Sequence, residues 1–344
     1  MLRITLNWLS LKNINSPFSK LVWIENLRAL ACIMVILLPV SGSWLYKLNG
    51  VNSFTWGSVA LIHSFTRFCV PVFIMITGAL LLKQNGSVID FYKSSYSRIL
   101  KPLLFWSICY IMLFVMFDFI LGKSSSVVGM ISYASIAFLH GAAYHLWYMY
   151  LLLALYVFIP FISKIIQSIQ LQFLLIILIA WFIMLTLAQY YVSNEFLQIS
   201  RFYLGYVGYI IFGYFLYKIQ ISRQIGIIIS ILLLILGLVS TFIPAYNFHV
   251  NNNENAMSNS FYYLNANIIV LSIGAFILMK SIEFKCNLVS NISKYSFGIY
   301  FIHLIFIMLL NKLFTAPQIS IVLYILVFTV AVLCLSYFSI VLYC

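Results

Sequence analysis

The sequence predicts an all-α fold, a polytopic integral membrane bundle of about ten transmembrane helices. Of the 344 residues, 64% are hydrophobic and only 7% are charged, whereas a soluble domain carries roughly 25% charged residues. Apolar runs of about 20 residues, each long enough to cross a hydrocarbon core of roughly 30 Å, recur along the whole chain. The 24 Tyr, 30 Phe and 7 Trp residues suit interfacial belts and lipid-facing surfaces.

The predicted spans follow the apolar runs in order: 29–46, 57–82, 99–121, 145–162, 171–192, 200–219, 225–246, 261–280, 295–313 and 318–343. The second is long and contains Pro71, so we expect a tilt or kink there, because proline removes a helical hydrogen bond. Residues 1–22 are interpreted as a cytoplasmic N-terminal segment without a cleavable signal peptide. Residues 23–344 are interpreted as one transmembrane domain.

The distribution of basic residues predicts the orientation. One set of alternating segments holds 14 Lys and Arg residues and the other holds 4, with Arg67 inside a span. Because cytoplasmic loops carry the excess of Lys and Arg, both termini are predicted to be cytoplasmic. The net charge of +13 then belongs to these loops and predicts no nucleic-acid partner. The six cysteines include no C-x-x-C pair, so no disulfide framework or metal site is predicted.

Cationic side chains stand at the predicted cytoplasmic ends of two spans. Arg28 begins the first apolar run, and Arg98 and Lys101 lie at the entrance of the third, three residues apart on one helical face. Each is typical of an anchor at the membrane surface. The alternative is a phosphate clamp, because Arg and Lys are the natural partners of phosphates.

Arg67 lies ten residues into the second span, with His63 four residues earlier on the same face. A charge inside a span is costly and marks a candidate site. We interpret Arg67 as a site for an anionic group, and an ion pair with Asp118 of the third span is the alternative.

Two further histidines are candidates. His145 lies at the outer end of the fourth span, where an interfacial structural role is the alternative. His303 follows Lys294 by nine residues, or roughly 14 Å, which is near the bilayer centre. Tyr300 lies on the same stripe. A buried core histidine with a hydroxyl partner is the alternative for His303.

The first span passes from Arg28 to Pro39 in eleven residues, close to three helical turns or roughly 16 Å. A helix with this spacing can hold an anion at the water surface and present a reactive group at the membrane centre. A general base there needs a side chain such as His. Proline has none, and it also breaks the backbone ladder.

Five segments together resemble the acyltransferase family 3 membrane proteins, bacterial O-acyltransferases that decorate surface glycans. The likeness is to the enterobacterial common antigen O-acetyltransferase type, which lacks an extra soluble domain. The segments, in the family's order, are "WIENLRALACIMV" (23–35), "RFCVPVFIMITGALL" (67–81), "RILKP" (98–102), "HLWYMYLLLALYVFIP" (145–160) and "SKYSFGIYFIH" (293–303).

The resemblance implies a ten-helix bundle in the bacterial inner membrane. It implies transfer of an acetyl group from acetyl-CoA, on the cytoplasmic side, to a hydroxyl of a surface-polysaccharide or lipid-linked sugar. The residues that would bind the CoA phosphates are Arg28, Arg98 and Lys101. The candidate catalytic residues are His303, Arg67, Tyr148 and His145. Among these, His303 would act as the base, and Arg67 or Tyr148 would stabilise the oxyanion.

Position 39 departs from this pattern, because the family carries an arginine, ten further residues and then an essential histidine, and Arg28 matches the arginine. Three explanations remain open: activity is lost, another histidine such as His303 or His63 takes the role, or the sequence is a variant. The family pattern already has a histidine at the position of His303. A glycolipid transporter or flippase and a non-catalytic acyltransferase-like protein are the alternative functions.

Overall fold

A computed structural model describes residues 21–48, 53–83, 87–120, 141–191, 195–251, 259–314 and 320–343. Residues 1–20 of the predicted N-terminal segment (1–22) lie outside the described residues. All regular secondary structure in the described ranges is helical. The helices are α1 (Val22–Lys47), α2 (Ser53–Thr66), α3 (Cys69–Leu81), α4 (Val88–Ile120), α5 (Trp147–Ser168, after a 3-10 turn at Tyr144–Leu146), α6 (Leu171–Tyr191), α7 (Glu195–Lys218), α8 (Arg223–Val250), α9 (Ala266–Ser281), α10 (Asn287–Leu313) and α11 (Ile321–Tyr343).

Eight helical segments of the described chain are long and apolar enough to cross a membrane: α1, α2 with α3, α4, the 3-10 turn with α5, α6, α8, α10 and α11. The predicted fold class, a polytopic all-α membrane bundle, is therefore confirmed. The predicted spans 200–219 and 261–280 correspond to α7 and α9, which are not among the eight.

The helix α9 begins later than the sequence predicts. Its 16 residues measure about 24 Å, which is less than the hydrocarbon thickness. The residues before it form turns, because the Asn265 side chain donates to the Asn259 carbonyl at 2.7 Å and the Asn265 N–H donates to the Tyr262 carbonyl at 3.1 Å. These local bonds compete with the helical pattern.

The predicted kink at Pro71 is present as a break in the second span. The helix α2 ends at Thr66, Arg67 and Phe68 form a turn, and α3 begins at Cys69. A proline in the first turn of α3 has no N–H to donate to the carbonyl four residues earlier, which belongs to Arg67. Arg67 therefore lies where the span is interrupted, and its backbone N–H donates to Ser64 in a 3-10 bond of 3.3 Å.

The chain forms two compact units. The smaller unit runs from Leu81 to Ser168 and contains α4 and α5. These helices pack antiparallel, because the Tyr92 hydroxyl donates to the Val157 carbonyl at 2.7 Å and the Tyr96 hydroxyl donates to the Leu153 carbonyl at 3.0 Å. The side chains of tyrosines on one helix thus bond the backbone of the other.

The larger unit contains the described residues up to Leu80 and from Ile169 onward. In this unit α1 packs against α2, α9, α10 and α11. Glycines allow other helices to approach closely: a Cβ at Gly78 would overlap the Ile210 carbonyl, and one at Gly213 would overlap the Met75 carbonyl. The α3 and α7 backbones therefore touch at this crossing, as small residues permit between membrane helices.

Candidate active site

The helices α1 and α10 run parallel in a fixed register within the larger unit. The Ser290 hydroxyl donates to the Glu25 carboxylate at 2.8 Å, and the Cys32 thiol lies 3.9 Å from the Ser296 carbonyl oxygen. Each contact joins residues about 264 positions apart. Two further helical turns along both helices bring Pro39 to the level of His303. The position where the resemblance implies a histidine is thus level with a buried histidine of α10.

His303 has a defined tautomer. Its side chain is 1% exposed, and its Nδ1 atom lies 2.7 Å from the carbonyl oxygen of Tyr300. A carbonyl oxygen only accepts hydrogen bonds, so Nδ1 of the neutral ring carries the proton and donates it. The Nε2 atom is then the unprotonated nitrogen, which is the form of imidazole that a general base needs.

The helix α2 runs antiparallel to α1. The Trp56 indole N–H donates to the Leu45 carbonyl at 3.2 Å. About one turn closer to the N-terminus of α1, His63 forms a hydrogen bond with Ser41. The next turn brings Arg67 to about the level of Leu37. Since His303 is level with Pro39, the backbone positions of Arg67 and His303 differ by about 3 Å in depth along α1.

A chain of hydrogen bonds joins α1 to Arg67. The Ser41 Oγ atom lies 2.8 Å from the Leu37 carbonyl oxygen and 3.0 Å from His63 Nδ1. His63 Nε2 lies 2.5 Å from Arg67 Nη2. The side chains of Ser41 and His63 are buried. Both nitrogens of the His63 ring are therefore engaged.

Aromatic rings face the Arg67 guanidinium. Its Cζ atom lies 4.9 Å from the ring centroid of Phe261 and 5.5 Å from that of Tyr263. The Arg67 Nε atom is buried without a hydrogen-bond partner among the described residues. Asp118, the alternative ion-pair partner, belongs to the smaller unit.

The N-terminal end of α1 carries Arg28, which is half-buried. The buried Asn26 side chain donates to the Phe284 carbonyl at 3.0 Å and so ties this end to the segment before α10. The resemblance implies that Arg28 contacts a CoA phosphate, and it stands about 16 Å from Pro39 along the helix.

The remaining candidates lie in the smaller unit. Arg98 is half-buried and Lys101 is exposed, one turn apart on α4. His145 lies in the 3-10 turn and Tyr148 in the first turn of α5, and both side chains are buried. The His145 ring packs edge to face on Tyr110, with centroids 5.3 Å apart. The structure thus places two candidate residues on α4 and two at the start of α5.

A comparison with protein families decides the class. The family model of the acyltransferase family 3 domain, described as an acyltransferase domain, matches residues 21–343. The chain belongs to acyltransferase family 3. No significant match was found among curated proteins or among solved structures. This acyltransferase family 3 protein is therefore a multi-pass helical membrane protein and a membrane acyltransferase by family.

Sequence reasoning missed two contributions to this acyltransferase. The sequence does not single out Ser41, because a serine whose hydroxyl donates to the carbonyl four residues earlier is common in membrane helices. The sequence analysis treats Lys280 only as one of the basic residues of the predicted cytoplasmic loops. In the structure, its Nζ atom donates to the carbonyls of Leu216, Tyr217 and Ile219 at 2.5–3.0 Å. It therefore caps the C-terminal end of α7. Among the described residues, no group of three His, Cys, Asp or Glu side chains is arranged to hold a metal ion.

Proposed function

We propose that this protein transfers an acetyl group from acetyl-CoA to a hydroxyl of a surface-polysaccharide or lipid-linked sugar. Family membership supports acyl transfer. The observation that supports a working site is the contact of 2.7 Å between His303 Nδ1 and the Tyr300 carbonyl oxygen, from which an unprotonated Nε2 follows. The acceptor is a glycan of the kind that enterobacterial common antigen exemplifies. The proposed location is the bacterial inner membrane, with both termini in the cytoplasm, as the excess of basic residues favours.

In the proposed reaction, His303 Nε2 takes the proton of the acceptor hydroxyl as the oxygen attacks the thioester carbonyl carbon. The new C–O bond forms and the C–S bond breaks. The CoA thiolate leaves and takes the proton from the imidazolium, so the products are the sugar ester and CoA thiol. The hydrogen bond from Nδ1 to the Tyr300 carbonyl supports this role, because it stabilises the imidazolium while the proton is held.

The negative charge that develops on the carbonyl oxygen needs a donor. Arg67 is the proposed donor, because it is a cation at the depth of His303 and its Nε–H is buried without a partner among the described residues. Tyr148 is the second candidate for this role, and His145 is the second candidate imidazole. Both belong to the smaller unit.

The CoA phosphates are proposed to bind Arg28, Arg98 and Lys101. Phosphates form charge-assisted hydrogen bonds with Arg and Lys side chains. The pantetheine arm then bridges the rise of about 16 Å between Arg28 and the level of Pro39. This distance supports a donor that binds at the membrane surface and reacts near the centre.

Pro39 supports a second candidate, an acyltransferase-like protein without turnover. Proline offers no basic side chain at the position where the resemblance implies an essential histidine. Our proposal instead assigns the proton transfer to His303, so the two candidates differ in what the wild-type protein does with acetyl-CoA.

The test measures radiolabelled acetyl transfer to lipid-linked and exported glycans in membranes that contain the wild-type protein or Pro39→His. We expect transfer above that of membranes lacking the protein, and binding of CoA to the detergent-solubilised wild type that Arg28→Ala weakens. Binding without transfer by the wild type, with transfer by Pro39→His, would establish the non-catalytic candidate. Movement of a glycolipid without any dependence on acetyl-CoA would establish a flippase instead.

A further inference from the structure

We propose that Ser41 and His63 are positioning residues that fix Arg67, so that its unpartnered edge is held ready for the thioester carbonyl oxygen. This inference rests on the proposed acyl transfer. It assigns functions to two side chains, one on α1 and one on α2, that neither the family match nor the sequence pattern assigns.

The donor and acceptor of each hydrogen bond can be assigned starting from Ser41 on α1. Ser41 Oγ lies 2.8 Å from the Leu37 carbonyl oxygen and 3.2 Å from that of Leu38. Carbonyls only accept, so the single hydroxyl hydrogen of Ser41 is donated to this turn of the helix. The hydroxyl oxygen can then only accept from His63 Nδ1, which must carry the proton of the neutral ring.

The contact of the other ring nitrogen, His63 Nε2, requires the same tautomer. Arginine has no acceptor atom, so Arg67 Nη2 donates to His63 Nε2. Nε2 must therefore be unprotonated, and the one proton of a neutral imidazole is again on Nδ1. Two independent contacts thus require one tautomer, and in it His63 cannot act as a base without losing Arg67. The same tautomer excludes Ser41 as a nucleophile that His63 activates.

The His63 ring packs closely between α1 and Phe261. A Cβ at Gly42 would lie 3.0 Å from His63 Cε1, so a larger residue there would push the ring away from α1. Phe261 packs edge to face on the ring, with centroids 5.0 Å apart. His63 therefore works as a rigid spacer between α1 and the guanidinium.

The rest of Arg67 is arranged for a ligand. The guanidinium lies over the rings of Phe261 and Tyr263, and His63 accepts one Nη2 hydrogen. The Nε–H is left buried without a partner among the described residues, and an unsatisfied buried donor is costly. An oxygen that gains negative charge in the reaction satisfies this donor, which is the arrangement of an oxyanion hole.

The kinetic test compares three variants of the full-length protein. His63→Phe keeps a ring but loses both hydrogen bonds, His63→Gln keeps an amide oxygen that can accept from Arg67, and Ser41→Ala removes the acceptor for Nδ1. We expect His63→Phe to lower kcat for acetyl transfer by about tenfold to hundredfold, with the KM for acetyl-CoA unchanged. His63→Gln should restore most of the loss, and Ser41→Ala should lie between them.

Matched controls come from the same helices. The Ser43 hydroxyl donates to the carbonyl of its own helix at Val40, at 2.9 Å, and His249 stacks on Trp56 with centroids 3.8 Å apart. Ser43→Ala and His249→Phe should leave kcat near the wild-type value. Equal losses in His63→Gln and His63→Phe, or a loss of CoA binding that follows the loss of kcat, would overturn the positioning role.

A second measurement does not depend on turnover. In protein with 15N-labelled histidine in detergent, His63 is assigned from the spectrum of His63→Gln. We expect the neutral Nδ1–H tautomer, which changes in Ser41→Ala and in Arg67→Met. An Nε2–H tautomer or an imidazolium at neutral pH would overturn the inference. If the expected tautomer is found but no variant or wild type transfers acetyl groups, the positioning of Arg67 stands and the proposed function falls.

Discussion

The N-terminal end of α1 and its middle are held by different chemistry. At the end, the Asn26 amide donates to the Phe284 carbonyl just before α10, and the Glu25 carboxylate accepts from the Ser290 hydroxyl of α10. In the middle, an imidazole from α2 and the guanidinium of Arg67 are linked to Ser41, and His303 of α10 is at the same depth. The first arrangement fixes the helix beside Arg28, the proposed phosphate ligand, whereas the second holds the groups that we propose for proton transfer and charge stabilisation. Substitutions at the two regions should therefore change different quantities.

The largest effect is expected at His303. His303→Asn keeps an amide N–H that can donate to the Tyr300 carbonyl, but it has no basic nitrogen in place of Nε2. We expect acetyl transfer to fall by about 10²–10⁴-fold, measured with radiolabelled acetyl-CoA in membranes. Binding of CoA should stay at the wild-type level, and a variant that still transfers at the wild-type rate would assign the base elsewhere.

Arg67 should show the next largest effect. Arg67→Lys keeps the positive charge but loses the planar set of donors that reaches both His63 and the unpartnered edge. We expect kcat to fall by about 10²–10³-fold, the range for loss of an oxyanion-hole donor. As in His303→Asn, the KM for acetyl-CoA should be unchanged. A raised KM with an unchanged kcat would instead make Arg67 a binding residue.

Arg28 should affect binding and not the chemical step. Loss of a charge-assisted contact with a phosphate costs about 1.5–3 kcal/mol, so Arg28→Ala should raise the Kd for CoA by roughly tenfold or more. Calorimetry or a labelled-ligand assay on the solubilised protein measures this. Dephospho-CoA serves as the probe for which phosphate is held. Unchanged binding in Arg28→Ala would end the distinction between the two regions of α1.

The smallest effect is expected at Asn26. Asn26→Ala leaves the Phe284 carbonyl without its side-chain donor, which costs about 1–3 kcal/mol of stability. We expect a lower thermal midpoint in detergent, followed by tryptophan fluorescence, while kcat per folded molecule is unchanged. A drop in kcat that exceeds the loss of folded protein would show that the end of α1 also acts in the reaction.

The fold was largely predictable, because the apolar runs are long enough to cross a bilayer and because a proline inside a helix removes a backbone hydrogen bond. The break at Arg67–Phe68, four residues before Pro71, follows from the missing N–H. The late start of α9 was not predictable, since it depends on the Asn265 side chain bonding the Asn259 carbonyl. Apolar composition alone cannot show such a local competition.

The candidate site was predictable only in part. His303 and Arg67 stood out because polar groups inside a span are costly. The pairing of Ser41 with His63 joins residues 22 positions apart on two helices, and helical spacing shows only neighbours on one helix. The register that makes Pro39 level with His303 likewise depends on contacts between α1 and α10. Depth along separate helices is therefore what the structure added to the sequence.

We propose that acyl transfer occurs at the middle of α1 and that His303 supplies the base. The most direct measurement is single-turnover acetyl transfer by the wild type, His303→Asn and His63→Gln at saturating acetyl-CoA. We expect clear transfer by the wild type, a modest decrease in His63→Gln and almost none in His303→Asn, with equal CoA binding in all three. Equal transfer by the wild type and His303→Asn would rule out His303 as the base.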